Sequence, residues 1–191
     1  VAKMNAFEEQ AVGRALYKAS GAGVDVDLVV RGFCVLRPRV PQLSERIRVI
    51  SVIGRFLEHS RLYYFRNGAK DPLDGEFYIG SADWMYRNLN SRVEAIVPVE
   101  ERALREKLWD VLQIMLNDQR QAWDMQPDGT YVQRLPVTET QQTGSHAQLM
   151  KIARKGPAGS VPSVDEEEVP SYEGQQDETT RRKTRKSRRK R

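Results

Sequence analysis

The spacing of apolar positions divides the chain into short segments of changing period. Residues 7–19 place Phe7, Ala11, Ala15, Leu16 and Ala19 at helical intervals, with Lys3, Met4 and Asn5 running into that pattern uncapped. Ser20-Gly21-Ala22-Gly23 ends the predicted helix, because glycine accepts the left-handed stop at little steric cost. Val24 to Val30 first alternates and then becomes fully apolar, as in a strand buried on both faces of a mostly parallel sheet. Helix, glycine turn and strand in succession predict an α/β fold. Beyond Pro38 and Pro41, Ile47 to Ile53 and Leu62 to Phe65 are rich in β-branched and aromatic residues, which suit a pleated surface. Asn67-Gly68 and Asp71-Pro72-Leu73-Asp74-Gly75 are turn chemistry, so residues 61–80 read as a hairpin closing on Phe77 to Ile79. Val93 to Val99 is another apolar strand. Glu100 to Gln119 carries Leu104, Leu108, Val111, Leu112 and Met115 on one face behind leading acids, an amphipathic helix. Asp128-Gly129 turns between short extended pieces.

From about residue 137 the pattern fades. The expected organisation is a domain over 1–136, a weakly patterned extension over 137–155, and a disordered tail over 156–191. The tail is rich in Pro, Gly, Ser and acids before its basic end, and such a composition buries too little apolar area to offset its ordering entropy. Its presence also explains why hydrophobic residues reach only 39% of the chain. Nine of the last eleven residues are Lys or Arg, so the preceding 180 carry 22 basic against 26 acidic side chains, a net charge of −4. The basic balance of the whole therefore belongs to the tail and says little about the folded part.

The single cysteine, Cys34, excludes an internal disulfide and fits a reducing compartment; without a base partner it reads as a buried thiol. No secretory leader and no membrane-length apolar run are visible. The expected location is cytoplasmic, with peripheral membrane association left open. The chain begins at Val1 rather than Met and reads as a piece cut from a longer protein.

The densest cluster of candidate chemistry is Gly54 to Arg61. In an extended segment Arg55, His59 and Arg61 share one face, and a histidine between two arginines calls for an anion to neutralise it. The plainer alternative packs His59 in the core and pairs the arginines with Glu45 or Glu58. Arg31-Gly32 ends the apolar strand, where ligands bind in open α/β sheets, and glycine there admits a close backbone approach. The alternative is an ordinary strand-end arginine. Gly80-Ser81-Ala82-Asp83-Trp84 reads either as a phosphate-approaching turn or as a helix start capped by Asp83, with Arg87 and Arg92 adding positive charge. His146 has no cysteine or acid at ligand spacing, so no metal site is expected. Walker, dinucleotide and zinc patterns are absent.

Four ordered blocks carry a resemblance: Val29 to Pro38, Leu43 to Arg48, Gly54 to Arg61 and Tyr78 to Leu89. Over roughly residues 1–150 the chain resembles the C-terminal domain of polyphosphate kinases. The resemblance implies a phospholipase D-like α/β domain with a mixed, mostly parallel sheet flanked by helices, plus the disordered tail. The phospholipase D pattern of His-x-Lys followed by Gly-Ser-x-Asn would fall on His59-Ser60-Arg61 and Gly80-Ser81-Ala82-Asp83. Arg stands for Lys and Asp for Asn, which counts against phosphodiesterase activity.

The resemblance further implies reversible transfer of the ATP terminal phosphate to inorganic polyphosphate through a phosphohistidine carried by a preceding domain. It places ATP-phosphate contacts on Arg31 and His59, with His59 the catalytic candidate. Arg55, Arg61 and Arg87 are candidate polyphosphate contacts. Mg2+ ligands are expected outside this chain, and the partners implied are ATP, polyphosphate, the N-terminal remainder of the enzyme and further copies in a homo-oligomer. By itself the fragment is expected to be inactive. A phospholipase D-like phosphodiesterase half-domain and a polyanion- or nucleic-acid-binding module are the competing readings; the second would act through the basic tail, which on the kinase reading would tether polyphosphate.

Overall fold

The computed structural model describes residues 1–155; the expected disorder and tethering role of the 156–191 tail lie outside the described residues. One eight-stranded mixed sheet organises them. In chain order its strands are β1 (Ala2–Met4), β2 (Val26–Val30), β3 (Ile47–Val52), β4 (Arg61–Phe65), β5 (Glu76–Gly80), β6 (Ile96–Pro98), β7 (Ala122–Met125) and β8 (Tyr131–Gln133). In space they run β6-β5-β4-β1-β2-β3-β7-β8. The helices are α1 (Gln10–Gly21), α2 (Tyr86–Ser91), α3 (Arg102–Leu116) and α4 (Ser145–Arg154).

Parallel pairing is confined to the centre, where β2 lies between β1 and β3. The remaining five pairings are antiparallel. The expectation of a mostly parallel sheet is corrected to that extent. Of the two parallel pairs, only β1–β2 is joined through a helix. The turn-rich segments 66–75 and 126–130 instead fold back as hairpins and extend both flanks with antiparallel strands.

Alternation along the central strands sets the layers. Leu28, Val30, Val49 and Tyr63 pack with Phe7, Val12, Leu16 and Tyr17 beneath α1. Their neighbours Val29, Ile50 and Val52 point to the other face, against Met115 of α3 and Leu149 of α4. A third group joins Leu62, Tyr64 and Phe77 to Leu108, Trp109 and Leu112 of α3. Each large side chain buried this way contributes about 1.5–3 kcal/mol of transfer free energy.

Three local expectations change. Residues 2–4 form the central strand rather than a helical approach, and α1 starts at Gln10, where the Glu9 side chain accepts from the Ala11 amide. Phe7 instead bridges Cys34 and Trp84. Asp83 caps no helix, since Met85 occupies the N-cap of α2. The weakly patterned 137–155 stretch contains α4, whose start is tied down by buried Asp118 accepting from the Ser145 amide at 2.6 Å. That tie spans 27 residues, which local periodicity does not register.

The register places one edge of the sheet at the centre of interest. Lys3 lies opposite Leu62, Arg61 opposite Gly80, and Val52 opposite Ala122. The ends of β1, β2, β3 and β5 and the starts of β4 and β7 therefore share this edge. Chain that leaves β3 on one side of β1 and β2 enters β4 on the other, so residues 53–60 cross over it.

Candidate functional site

Arg31 follows the last residue of β2 at this edge. Its side chain is half-buried, and its Nε donates to Asn5 Oδ1 at 2.8 Å, with Nη2 donating to the same oxygen. Asn5 follows β1, so the two strand ends are locked together. The Ser51 hydroxyl donates to the Arg31 carbonyl at 2.8 Å. Gly32 has a packing reason to be glycine: a Cβ there would sit 3.0 Å from the Asn5 carbonyl oxygen, to which the Gly32 amide donates. The close approach expected at Gly32 is thus to backbone of the same chain. Asn5 orients the guanidinium while leaving its charge uncompensated, and no carboxylate lies within ion-pair distance of Arg31 among the described residues.

His59 sits in the crossover, exposed. Its neighbours on both sides are held by one group that the sequence reading passed over. Lys3, 2% exposed in the middle of β1, directs its ammonium to the Ser60 carbonyl at 2.9 Å, the Ser60 hydroxyl at 2.8 Å and Glu58 Oε2 at 3.3 Å. Two ammonium donors are thereby bonded to Ser60, and the charge is paired with Glu58. Burial pushes the Lys3 pKa down, and the Glu58 carboxylate only partly restores it. Glu58 thus pairs with a lysine rather than with the flanking arginines.

Arg61 begins β4 and forms a forked pair with Asp83, Nε to Oδ1 at 3.1 Å and Nη2 to Oδ2 at 2.7 Å. Its Nη1 donates to the His59 carbonyl at 2.7 Å. Asp83 Oδ1 also accepts from the Asn5 amide at 2.6 Å. Burial alone would raise the Asp83 carboxyl, but the Arg61 fork and the Asn5 and Ala6 amides together hold it below its ordinary value. The Gly80–Trp84 turn is likewise engaged internally. Ser81 donates to Glu94, which also accepts from Asn88 at 2.5 Å. Trp84 stacks on Tyr63 and takes the Glu8 and Glu9 amides on its carbonyl. This turn braces the edge rather than opening a phosphate nest.

The expected common face of Arg55, His59 and Arg61 does not form, because residues 53–60 are a bent loop and only Arg61 lies in a strand. The Arg55 guanidinium lies 5.7 Å from the Phe56 ring centroid, a cation–π distance. Arg87 is exposed on α2 and makes no ion pair with the site among the described residues. The loop has a second anchor. The Phe56 amide donates to His146 Nδ1 at 3.1 Å, and the two rings lie 5.7 Å apart. Gln121 reaches between Gly54 and Gly144, where a Cβ on either glycine would collide with its amide.

The edge thus offers oriented donors and net positive charge around an exposed imidazole. It offers no activated thiol, since burial pushes Cys34 up to about 11. The carboxylates of the site, Asp83 and Glu58, are engaged by Arg61 and Lys3. These residues do not form a magnesium ligand set, and no group of three or more His, Cys, Asp or Glu suited to a metal occurs among the described residues. Nor is any described helix long and apolar enough to cross a membrane.

The sequence profile described as polyphosphate kinase C-terminal domain 2 matches residues 1–148. The polyphosphate kinase of Thermosynechococcus vestitus is 57% identical over 160 residues, covering 84% of this chain and 21% of that protein. That of Synechocystis is 59% identical over 147 residues, covering 77% and 20%. The crystal structure of polyphosphate kinase from Porphyromonas gingivalis superposes with a TM-score of 0.74 at 38% identity, over 80% of this chain and 23% of that one. The chain spans about a fifth of the length of these relatives. Family profile, relatives and fold agree, and the chain belongs to the polyphosphate kinase family, in which it corresponds to C-terminal domain 2.

Proposed function

We propose that this chain forms part of the phosphate-binding surface of a polyphosphate kinase, the enzyme that reversibly transfers the ATP terminal phosphate to inorganic polyphosphate. The observation that carries the reading is the Arg31 guanidinium, at the carboxyl end of a central strand, oriented by a neutral partner and left without a counter-charge at the sheet edge that the loop bearing the exposed His59 crosses. In the transfer, the phosphoanhydride bond to ADP breaks and a new one to a terminal oxygen of the polymer forms, by way of a phosphohistidine carried outside this chain. Charge spreads over the oxygens of the moving group, so the main demand on the protein is positioned positive charge.

In this scheme Arg31 holds ATP phosphate oxygens and His59 meets the same group from the crossover loop. Arg55 and Arg87 contribute positive charge toward the polymer. Arg61 acts indirectly, holding the His59 carbonyl and Asp83. With that guanidinium already forked onto a carboxylate, the phosphodiesterase reading draws no support from the site. Any Mg2+ would be bound by residues outside this chain, and a substrate such as ATP fits a cytoplasmic location.

The test is ATP-dependent polyphosphate synthesis by the complete kinase polypeptide carrying this chain, with Arg31→Ala and His59→Ala compared with wild type. Both variants are expected to lose most activity while their thermal unfolding stays within a few degrees of wild type. Full activity in both would assign these residues a structural role and remove the reading.

A further inference from the structure

A second basic recess opens on the same sheet edge, where the crossover loop leaves β3 beside the start of β7. It is a cleft of about 500 Å3 lined by Arg55, Arg120, Gln121, Gln133 and His146 among others, with no aspartate or glutamate in its wall. The two guanidinium groups have no carboxylate partner within ion-pair distance among the described residues.

His146 supplies an independent observation. It is 3% exposed, and its Nδ1 accepts from the Phe56 amide. In the neutral ring the proton therefore sits on Nε2, making that atom a donor. Nε2 is buried and has no hydrogen-bond partner. Buried donors are nearly always satisfied, so an unpartnered one on a residue that lines a basic cleft marks the place of a missing acceptor.

We propose that this cleft is a phosphate subsite that holds inorganic polyphosphate away from its reacting end, with Arg55 and Arg120 flanking the chain and His146 Nε2 donating to one of its oxygens. The proposal rests on the polyphosphate kinase reading of the neighbouring site. Three features select this ligand. The cleft offers donors and positive charge, which match a polymer of phosphates at every unit. Its wall holds no Phe, Tyr or Trp on which a nucleobase would stack, the usual device for single-stranded nucleic acid, and the His146 ring is buried. Its position matters too: β3 ends and β7 begins at this edge, and residues 53–60 lead from the cleft to His59. Arg55 and His59 are four residues apart, a chain reach of at most about 14 Å. A long polyphosphate would occupy both places at once, whereas a short one would not.

The experiment uses the complete kinase and reads ATP formation from ADP and polyphosphate. Arg120→Gln and the Arg55→Gln/Arg120→Gln pair remove the charge. His146→Asn keeps an acceptor near the Nδ1 position and removes the Nε2 donor. The double variant is expected to raise KM for long-chain polyphosphate by about tenfold, the scale of a lost charge-assisted contact. KM for ADP should move less than twofold and the effect should shrink with tripolyphosphate. His146→Asn should raise the long-chain KM severalfold, with a melting temperature lowered by the lost ring packing against Phe56 but a fold still intact under the assay conditions. An unchanged long-chain KM in the folded double variant overturns the proposal.

If the wild-type enzyme forms no ATP at all, the kinase reading fails separately. The cleft is then tested by NMR titration of the 15N-labelled 191-residue chain with tripolyphosphate. Shifts of the Arg55, Arg120 and His146 side-chain N–H signals support it. Shifts confined to residues 181–191, or shifts of the cleft signals by an RNA oligonucleotide and not by tripolyphosphate, overturn it.

Discussion

Replacing Asp83 with alanine is the sharpest test of the claim that the Arg61–Asp83 pair braces the site. The side chains of Arg61 and Asp83 are only 11% and 4% exposed. Truncation removes both halves of the guanidinium fork and the acceptor of the Asn5 amide. Arg61 would keep only the His59 carbonyl. Removing one partner of a buried ion pair costs about 3–5 kcal/mol, largely because the other charge stays buried and unmatched. Against a total stability of about 5–15 kcal/mol, that is a large fraction. At about 2–4 °C per kcal/mol for a domain of this size, the melting temperature should fall by roughly 6–20 °C.

Urea unfolding followed by circular dichroism measures the loss directly, provided the slope of the transition is unchanged. Asp83→Asn keeps an acceptor and loses the charge, so it should cost less, about 1–3 kcal/mol. The pair also sets a pH signature. The folded Asp83 carboxyl is held below its ordinary value of about 3.9. Its stabilisation is therefore complete above that value and disappears as the pH falls through the lower folded value. The gap between wild type and Asp83→Asn should be constant near neutrality and close in acid. A loss below about 1 kcal/mol for Asp83→Ala, or a gap independent of pH, would refute the reasoning.

Two further outcomes follow from how the crossover loop is held. Lys3→Met removes one partner of the Lys3–Glu58 pair and the donor to Ser60, so it should cost about 1–3 kcal/mol of stability, less than for a fully buried pair because the Glu58 side chain is 24% exposed and stays partly hydrated; polyphosphate synthesis by the complete kinase should fall tenfold or more, since Glu58 and Ser60 lose the group that fixes them around His59, and retained activity would show that the loop is ordered without Lys3. Gly54→Ala should cost about 1–3 kcal/mol of stability, the usual range for overpacking, because the added Cβ meets the Gln121 amide and comes within 2.7 Å of His146 Nδ1; thermal unfolding indistinguishable from wild type would show that Gln121 and His146 yield freely.

The strands β2, β3 and β4 were legible because each is a run of apolar residues bounded by turns, and each appears within two residues of the expected place. The strand-end position expected for Arg31 is likewise where the structure has it, directly after β2. β1 escaped because three residues with a lysine at the centre carry no periodic signal, and its place in the sheet is fixed by neighbours far along the chain. The same distance hid the site's supports: Lys3 meets Ser60 across 57 residues, and Asn5 meets Arg31 across 26. The surroundings of His59 were not legible either. The shared face assigned to Arg55, His59 and Arg61 assumed an extended chain, whereas the crossover has to bend to pass from β3 to β4. His146 illustrates the converse, a polar-looking residue buried because Asp118 and Gln121 tie down the start of α4.

The two departures from the His-x-Lys and Gly-Ser-x-Asn pattern become a single departure in three dimensions. Arg61 and Asp83 stand where lysine and asparagine would, and they bind each other through two parallel contacts. A lysine has no planar fork to match the carboxylate, and an asparagine has no charge to neutralise the guanidinium. Either reversion alone would leave the remaining member buried and mismatched, so the two positions are energetically coupled. With this pair closed and Lys3 matched by Glu58, the positive charge left over at the edge belongs to Arg31 after β2, to Arg55 in the crossover loop and to Arg120 before β7. The matched cations hold the loop in place, and the unmatched ones are those with charge to offer an anion. A double-mutant cycle on Arg61→Lys and Asp83→Asn should accordingly return a coupling energy of about 0.5–3 kcal/mol; strict additivity would mean that the two substitutions are independent and that the site is braced in some other way.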